Sequence, residues 1–279
     1  MAYHIAVDSC TDLSPQMWKD EHIRQVPLTL IVGDEQIIDD QTFDQAVFLA
    51  KAALCESAPS SACPSPHAFM EAMGFDDEDA YCVTLSAQLS GSYNSALLGE
   101  QLLREEFPNK KMHVFNSRAA CCGQSLIVMK IQECIGQGMD FRKVVSTVEE
   151  YISEETTLFV LESLDTLRKN GRLTGLQAKV INVLNIKPVM ASTPEGSIRQ
   201  ADIGRGMKRA LQKMVAHIED TLTDPEDKTL AISHCNCPER AILVRKMVME
   251  KYPFKDVVIF PTSGVGSLYA GDGGIVAAF

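Results

Sequence analysis

The chain has 279 residues, 46% of them apolar, and its 26 Lys and Arg stand against 37 Asp and Glu for a formal net charge of −11. That length fills one large domain or two modest ones, and an acidic chain without a clustered basic face is not built to displace counterions from nucleic acid. The opening MAYHIAVDSC lacks a basic region followed by a long apolar stretch, and no window reaches eighteen uncharged apolar residues. Stable membrane insertion is therefore not expected, and the protein is read as cytoplasmic. Its nine cysteines are an odd number, which predicts reduced thiols rather than a disulfide framework.

Taken in order, YHIAVDS, YCVTLS and MHVFNS read as buried strands, each ending in a polar turn before a helical pattern. The helix after DDQT is expected to open at Thr42, with Gln45 completing a capping box, and Ser65-Pro66 reads as an N-cap followed by proline at N1. Strand-to-helix turns of such a sheet lie at its carboxyl edge, so Asp8-Ser9, the Ser86–Ser95 turn and Asn116-Ser117 are expected to share one edge. From Phe141 the pattern becomes a helix to Ser153, a strand TLFVLE, and helices around SLDTLRKNGRLTG and LQAKVINVLN. KPVMAST and SIRQADI then flank a hairpin turn at Pro194-Glu195-Gly196, followed by an amphipathic helix, TLAISH, another helix, DVVIFP and GGIVAAF. With no long linker, the expected division is 1–155 and 156–279, closely packed.

The stretch SAQLSGSYNSA gathers five hydroxyls around Gly91. A serine nucleophile at Ser90 or Ser92 is one reading, although the surroundings are not G-x-S-x-G and a histidine would have to arrive from elsewhere in the fold. A second is an ordinary serine N-cap. A third is an anion cradle, in which the free N–H groups of a helix start and the serine hydroxyls meet a carboxylate or phosphate. LRKNGRLTG offers Arg168, Lys169 and Arg172 as a solvated helix end or a cationic lip. The tail SGVGSLYAGDGG is not a dinucleotide fingerprint, because Tyr269 stands where the final glycine of G-x-G-x-x-G belongs. His234, Cys235 and Cys237 in SHCNCPE lack a second ligand pair, so no metal is expected, and the segment reads as a strand end before a helix starting after Pro238.

As an ordered series, these segments resemble the DegV family of fatty-acid-binding proteins nearly from end to end. VDSCTDL is similar to the family's D-S-x-x-D-L, SACPS to T-S-x-P-S, and LSGSYNSA to L-S-G-T-Y-x-x-A. LRKNGRLTG, NIKPVM, GRGMKRAL and SHCNCPE resemble L-x-K-G-G-R-I, I-K-P-I-L, R-x-x-K-K-A-L and H-x-x-x-P-E in turn. The resemblance implies a two-domain α/β protein. Its N-terminal part would be a three-layer α/β/α domain with a mainly parallel sheet, and its C-terminal part a two-layer α/β domain with a mixed sheet. One long acyl chain would lie between them, with its carboxylate held by hydroxyls.

Carried over by position, the binding threonine falls on Ser61 and the binding serine on Ser90, with Gly91 and Ser92 completing that loop. Arg172 and Arg205 match arginines near the pocket mouth that the bacterial fatty acid kinase system associates with the kinase partner. The chain departs from the pattern at Ala62-Cys63, at Asn170 and in its tail, where Tyr269 replaces a histidine and supplies a hydroxyl donor instead of a titrating imidazole. The implied protein carries a fatty acid to a separate kinase for phosphorylation, within phospholipid metabolism. It would have no turnover of its own and no cofactor. The alternative is a serine hydrolase of acyl esters acting through Ser90 or Ser92.

Overall fold

The computed structural model describes residues 3–76, 78–173 and 185–279. The first half runs β1 (Tyr3–Asp8), β2 (Ile23–Val26), β3 (Thr29–Val32), β4 (Glu35–Ile38), α1 (Gln45–Leu54), β5 (Ser60–Ala62), α2 (Pro66–Met73), β6 (Asp79–Thr84), α3 (Ser92–Glu106), β7 (Met112–Asn116), α4 (Cys122–Gly136) and α5 (Phe141–Glu154). The second runs β8 (Thr157–Val160), α6 (Asp165–Lys169), β9 (Ile186–Ser192), β10 (Ile198–Arg205), α7 (Met207–Ala216), β11 (Thr229–His234), α8 (Pro238–Lys251), β12 (Asp256–Pro261), α9 (Gly264–Ala270) and β13 (Ile275–Ala278). The helix expected over LQAKVINVLN falls outside the described residues, Asn185 apart.

YHIAVD, DAYCVT and MHVFN, with IRQV at the β1 edge, form the parallel sheet β2-β1-β6-β7. Continuous apolar runs suit such strands because both faces are covered. Phe69, Met73, Ala96 and Leu103 of α2 and α3 pack with Ala6, Cys82 and Val114 on one face, while Ile127, Ile131, Val144 and Val148 of α4 and α5 pack with Ile5, Val7, Val83 and Phe115 on the other. Helix α4 also touches β11 and β13. It is therefore wedged between the two halves and is buried on nearly all sides.

The second sheet is mixed, in the order β10-β9-β8-β13-β11-β12. Its residues alternate between two cores. Leu158, Val160, Val189 and Leu230 face α7 and α8, whereas Phe159, Leu161, Met190, Ala231 and Val276 face the core shared with the first half. The fold is thus a mixed α/β architecture with one parallel and one mixed sheet.

Two local expectations need correction. Helix α1 opens at Gln45 with Asp44 as its cap, the carboxylate accepting from Val47 N at 3.0 Å, while Thr42 folds back onto Asp40. The small antiparallel sheet β4-β3-β5 has no counterpart among the strands read from the sequence. The Ser65 cap and Pro66 at N1 stand as read, and so does the hairpin, with Gly196 at φ +87° between β9 and β10.

Candidate functional site

The carboxyl edge of the parallel sheet is organised by Asp8. Its Oδ2 accepts from Leu85 N at 2.7 Å, and its Oδ1 accepts from Cys10 N at 3.2 Å and Gln124 Nε2 at 2.9 Å. Burial drives this carboxyl up to about 6 against the pull of those donors. Asn116 Oδ1 takes Ala87 N at 3.0 Å, and Ser86 N donates to Ala119 O. The three turns expected to share an edge are therefore bonded to one another. Ser86 Oγ then donates across the halves to Gly196 O at 2.8 Å.

Above this edge lies a cavity of about 750 Å³, its mouth included. Leu85, Leu89, Ala119, Ala120 and Cys121 line it from the first half, and Phe159, Leu161, Leu167, Ile198, Val265, Ala270 and Val276 from the second. Because Thr157, Phe159 and Leu161 are alternate residues of one strand line, the cavity follows β8 for about 13 Å.

At one end the walls turn polar. Ser61, Ala62, Cys63, Ser90 and Gly91 close around an opening that shares Leu85, Leu89, Arg172 and Tyr269 with the apolar cavity. Ser61 is presented by β5, paired opposite Leu30, and its Oγ lies 3.2 Å from Tyr269 OH. The Arg172 guanidinium is 5.5 Å from the Tyr269 ring centre, its Nε donating to Leu89 O at 3.1 Å and its Nη1 to Asn170 O at 2.5 Å. Ser90, one residue before the Gly91 N-cap of α3, accepts at its Oγ from Ser92 N at 3.2 Å. A Cβ on Gly91 would come within 3.2 Å of Cys63 Sγ, so that exposed thiol would have to give way by a few tenths of an ångström. The opening thus joins hydroxyls, a helix start and a guanidinium to a greasy interior, which suits an amphiphile with an anionic head.

Five of the residues singled out from sequence, Ser61, Ser90, Gly91, Arg172 and Tyr269, wall this opening. Ser92 does not. It is fully buried beneath the loop, its hydroxyl 3.0 Å from Ser90 Oγ. Arg205 is exposed at the end of β10, paired with Ile186, and lines neither the cavity nor the opening itself. Sequence reading missed Arg118, a positive-φ residue on the cavity wall. It also missed the supporting roles of Asp12 and Asp39. Asp12 binds Ser233 Oγ and, at 2.7 Å, Ser263 N. Asp39 accepts from Gly264 N at 2.7 Å and Val265 N at 2.8 Å.

The thiols and imidazole of SHCNCPE turn to separate partners, Cys235 Sγ to Ser267 O, Cys237 Sγ to Gly274 O and His234 Nδ1 to Cys237 N. His4, Asp76 and Glu78 lie close enough to hold a cation. Their positive charge is already supplied by Lys110, 2.8 Å from Asp76, at the edge of the sheet opposite the cavity.

The whole chain, residues 2–279, matches the family model described as an uncharacterised protein of the DegV family. A DegV domain-containing protein of Streptococcus gordonii is 33% identical over 100% of this chain and 99% of its own. Among solved structures, a DegV-family protein of Ruminococcus gnavus, refined with vaccenic acid, is 48% identical with a TM-score of 0.96 over 99% of both chains. The Streptococcus pneumoniae fatty acid kinase B3 protein loaded with linoleic acid is 30% identical with a TM-score of 0.91, over 100% of this chain and 99% of its own. The fold, the ordered motifs and these full-length likenesses agree, and the chain belongs to the DegV family.

Proposed function

We propose that the protein binds one long-chain fatty acid, tail along the β8 cavity and carboxylate at the hydroxyl-lined opening. Ser61 Oγ, Ser90 Oγ, the Gly91 N–H and Tyr269 OH are the donors, and Arg172 closes the mouth. The observation that carries this reading is the shared wall: Leu85, Leu89, Arg172 and Tyr269 bound both the apolar cavity and the polar opening. Each buried methylene contributes about 0.8 kcal/mol, so the tail supplies affinity and the few donors supply orientation. The fatty acids in the R. gnavus and S. pneumoniae structures support the ligand class.

In this reading residues 1–155 carry the head-group loops and 156–279 cover the acyl chain. The name of the S. pneumoniae relative supports a role beside a separate fatty acid kinase that phosphorylates the head group, with Arg205 and Arg172 available to that partner. Turnover belongs to the kinase. The free cysteines suit a reducing cytoplasm; among the described residues no helix is long and apolar enough to cross a membrane.

Denaturing extraction of purified protein followed by mass spectrometry tests the reading. A stoichiometric long-chain fatty acid is expected, and its absence together with no uptake of added oleate or palmitate overturns it. A hydrolase reading gains no geometry: Ser90 Oγ meets Ser92 Oγ, and the hydrogen bonds and ion pairs of the six histidines go to other residues. A fluorophosphonate probe is accordingly expected to leave Ser90 and Ser92 unlabelled.

A further inference from the structure

We propose that Asp39 is a positioning residue for the head group: by gripping the start of α9 it sets Tyr269 OH against Ser61 Oγ. The proposal rests on the fatty-acid reading above. Asp39 follows β4 directly and is 2% exposed. Its N–H donates to Leu28 O at 3.0 Å, which ties it to the segment leading into β3. Both carboxylate oxygens are spent on α9, one on Gly264 N and one on Val265 N. These are free N–H groups at the positive end of a helix, where a carboxylate is favoured.

The contact is as close as backbone chemistry permits. A Cβ on Gly264 would lie 2.5 Å from Asp39 Oδ1 and 2.8 Å from Leu30 Cδ1. Leu30 is the residue of β3 that pairs with Ser61 of β5. The two head-group hydroxyls therefore hang from one three-stranded sheet by different routes, Ser61 through the β3–β5 ladder and Tyr269 through the Asp39 grip. Gln45 at the start of α1 adds a second tie, its Nε2 donating to Ser267 Oγ at 2.8 Å, two residues before Tyr269. Because α9 has seven residues, Tyr269 lies only about 7.5 Å along the axis from the gripped end. A shift there reaches the hydroxyl undamped, and the 3.2 Å Ser61–Tyr269 contact closes the circuit.

The test measures dissociation constants for oleate and for oleyl alcohol, which keeps the chain and lacks the carboxylate. Wild type is compared with Tyr269→Phe, Asp39→Asn and the double variant, with melting curves to confirm folding. Asparagine would turn an NH2 toward one of the two helix N–H groups and lose that bond. Both single variants are expected to lower the preference for oleate by about fivefold, and the double variant to lower it no further, because both act on the same hydroxyl. A purely structural role for Asp39 would weaken both ligands alike. An unchanged preference in Asp39→Asn beside a reduced one in Tyr269→Phe overturns the proposal, and so do effects that multiply. Wild type that binds neither ligand would instead strike at the fatty-acid reading. Should Asp39→Asn not fold, Gly264→Ala, whose Cβ pushes α9 off Asp39 and Leu30, is read in the same way.

Discussion

At the scale of single residues, the opening is a set of weak donors rather than a buried ion pair. A hydrogen bond to a charged group contributes about 1.5–3 kcal/mol, and here several are shared by one carboxylate, so each loss is expected to be modest. Ser61→Ala should weaken oleate binding about fivefold to tenfold, measured by titration calorimetry on delipidated protein. It should leave the alcohol of the same chain nearly untouched, and equal losses for both would deny Ser61 its role. Residue types in turns made part of this legible, a hydroxyl at Ser90 and a guanidinium at Arg172 beside a glycine, whereas Ser61, on β5, came only through the family resemblance. Direction was not legible. Ser92 opens α3 and is fully buried there, its hydroxyl meeting Ser90 Oγ beneath the loop instead of lining the opening.

At the scale of elements, the β9–β10 hairpin sets one wall of the cavity by leaning on the carboxyl edge. Gly196 takes φ +87°, which favours glycine. A Cβ there would lie 2.3 Å from Ser86 Oγ and 2.7 Å from Arg118 Cα. Gly196→Ala is therefore expected to cost about 1–3 kcal/mol of stability and to spoil the cavity wall, read as a lowered melting temperature with reduced lipid retention. An unaltered variant on both counts would show that the hairpin is free to move. The hairpin and the parallel strands were visible in sequence because turn residues and long apolar runs are local signals. The sheet β4-β3-β5 was not, since its strands have three or four residues and EQII is mostly exposed. Nor was α9, where SGVGSLYA reads as a glycine-rich tail. Its first turn is held in part by Asp39, more than two hundred residues away in the chain.

At the scale of the whole molecule, the carboxyl edge of the parallel sheet and the joint between the halves hold groups that dislike being charged where they are. Desolvation raises Asp8 and Asp39 to about 6 and Asp12 and Glu155 to about 7, against the hydrogen bonds that pull each of them down. The unfolded chain ionises such carboxyls near 4. Between about pH 4 and 7 the folded chain thus holds protons that the unfolded chain has released, and stability falls as pH rises through that window. His234, held below its ordinary value by burial, works in the opposite sense. Asp76 is held down to about 2 by Lys110 and His4 in spite of its own desolvation, so its contribution is complete above about pH 4 and leaves the window unaffected. Four raised carboxyls against one imidazole predict a melting temperature several degrees higher at pH 5.5 than at pH 8, and a flat or reversed profile would contradict this balance. Glu155 isolates the cause, because its Oε1 only accepts from Thr157 Oγ1 at 2.8 Å, a bond that a glutamine oxygen keeps. Glu155→Gln should therefore raise the melting temperature at pH 8, where the wild-type carboxyl is charged and desolvated. The gain should be smaller at pH 5.5, where the folded carboxyl carries its proton and only the ionisation of the unfolded chain favours unfolding.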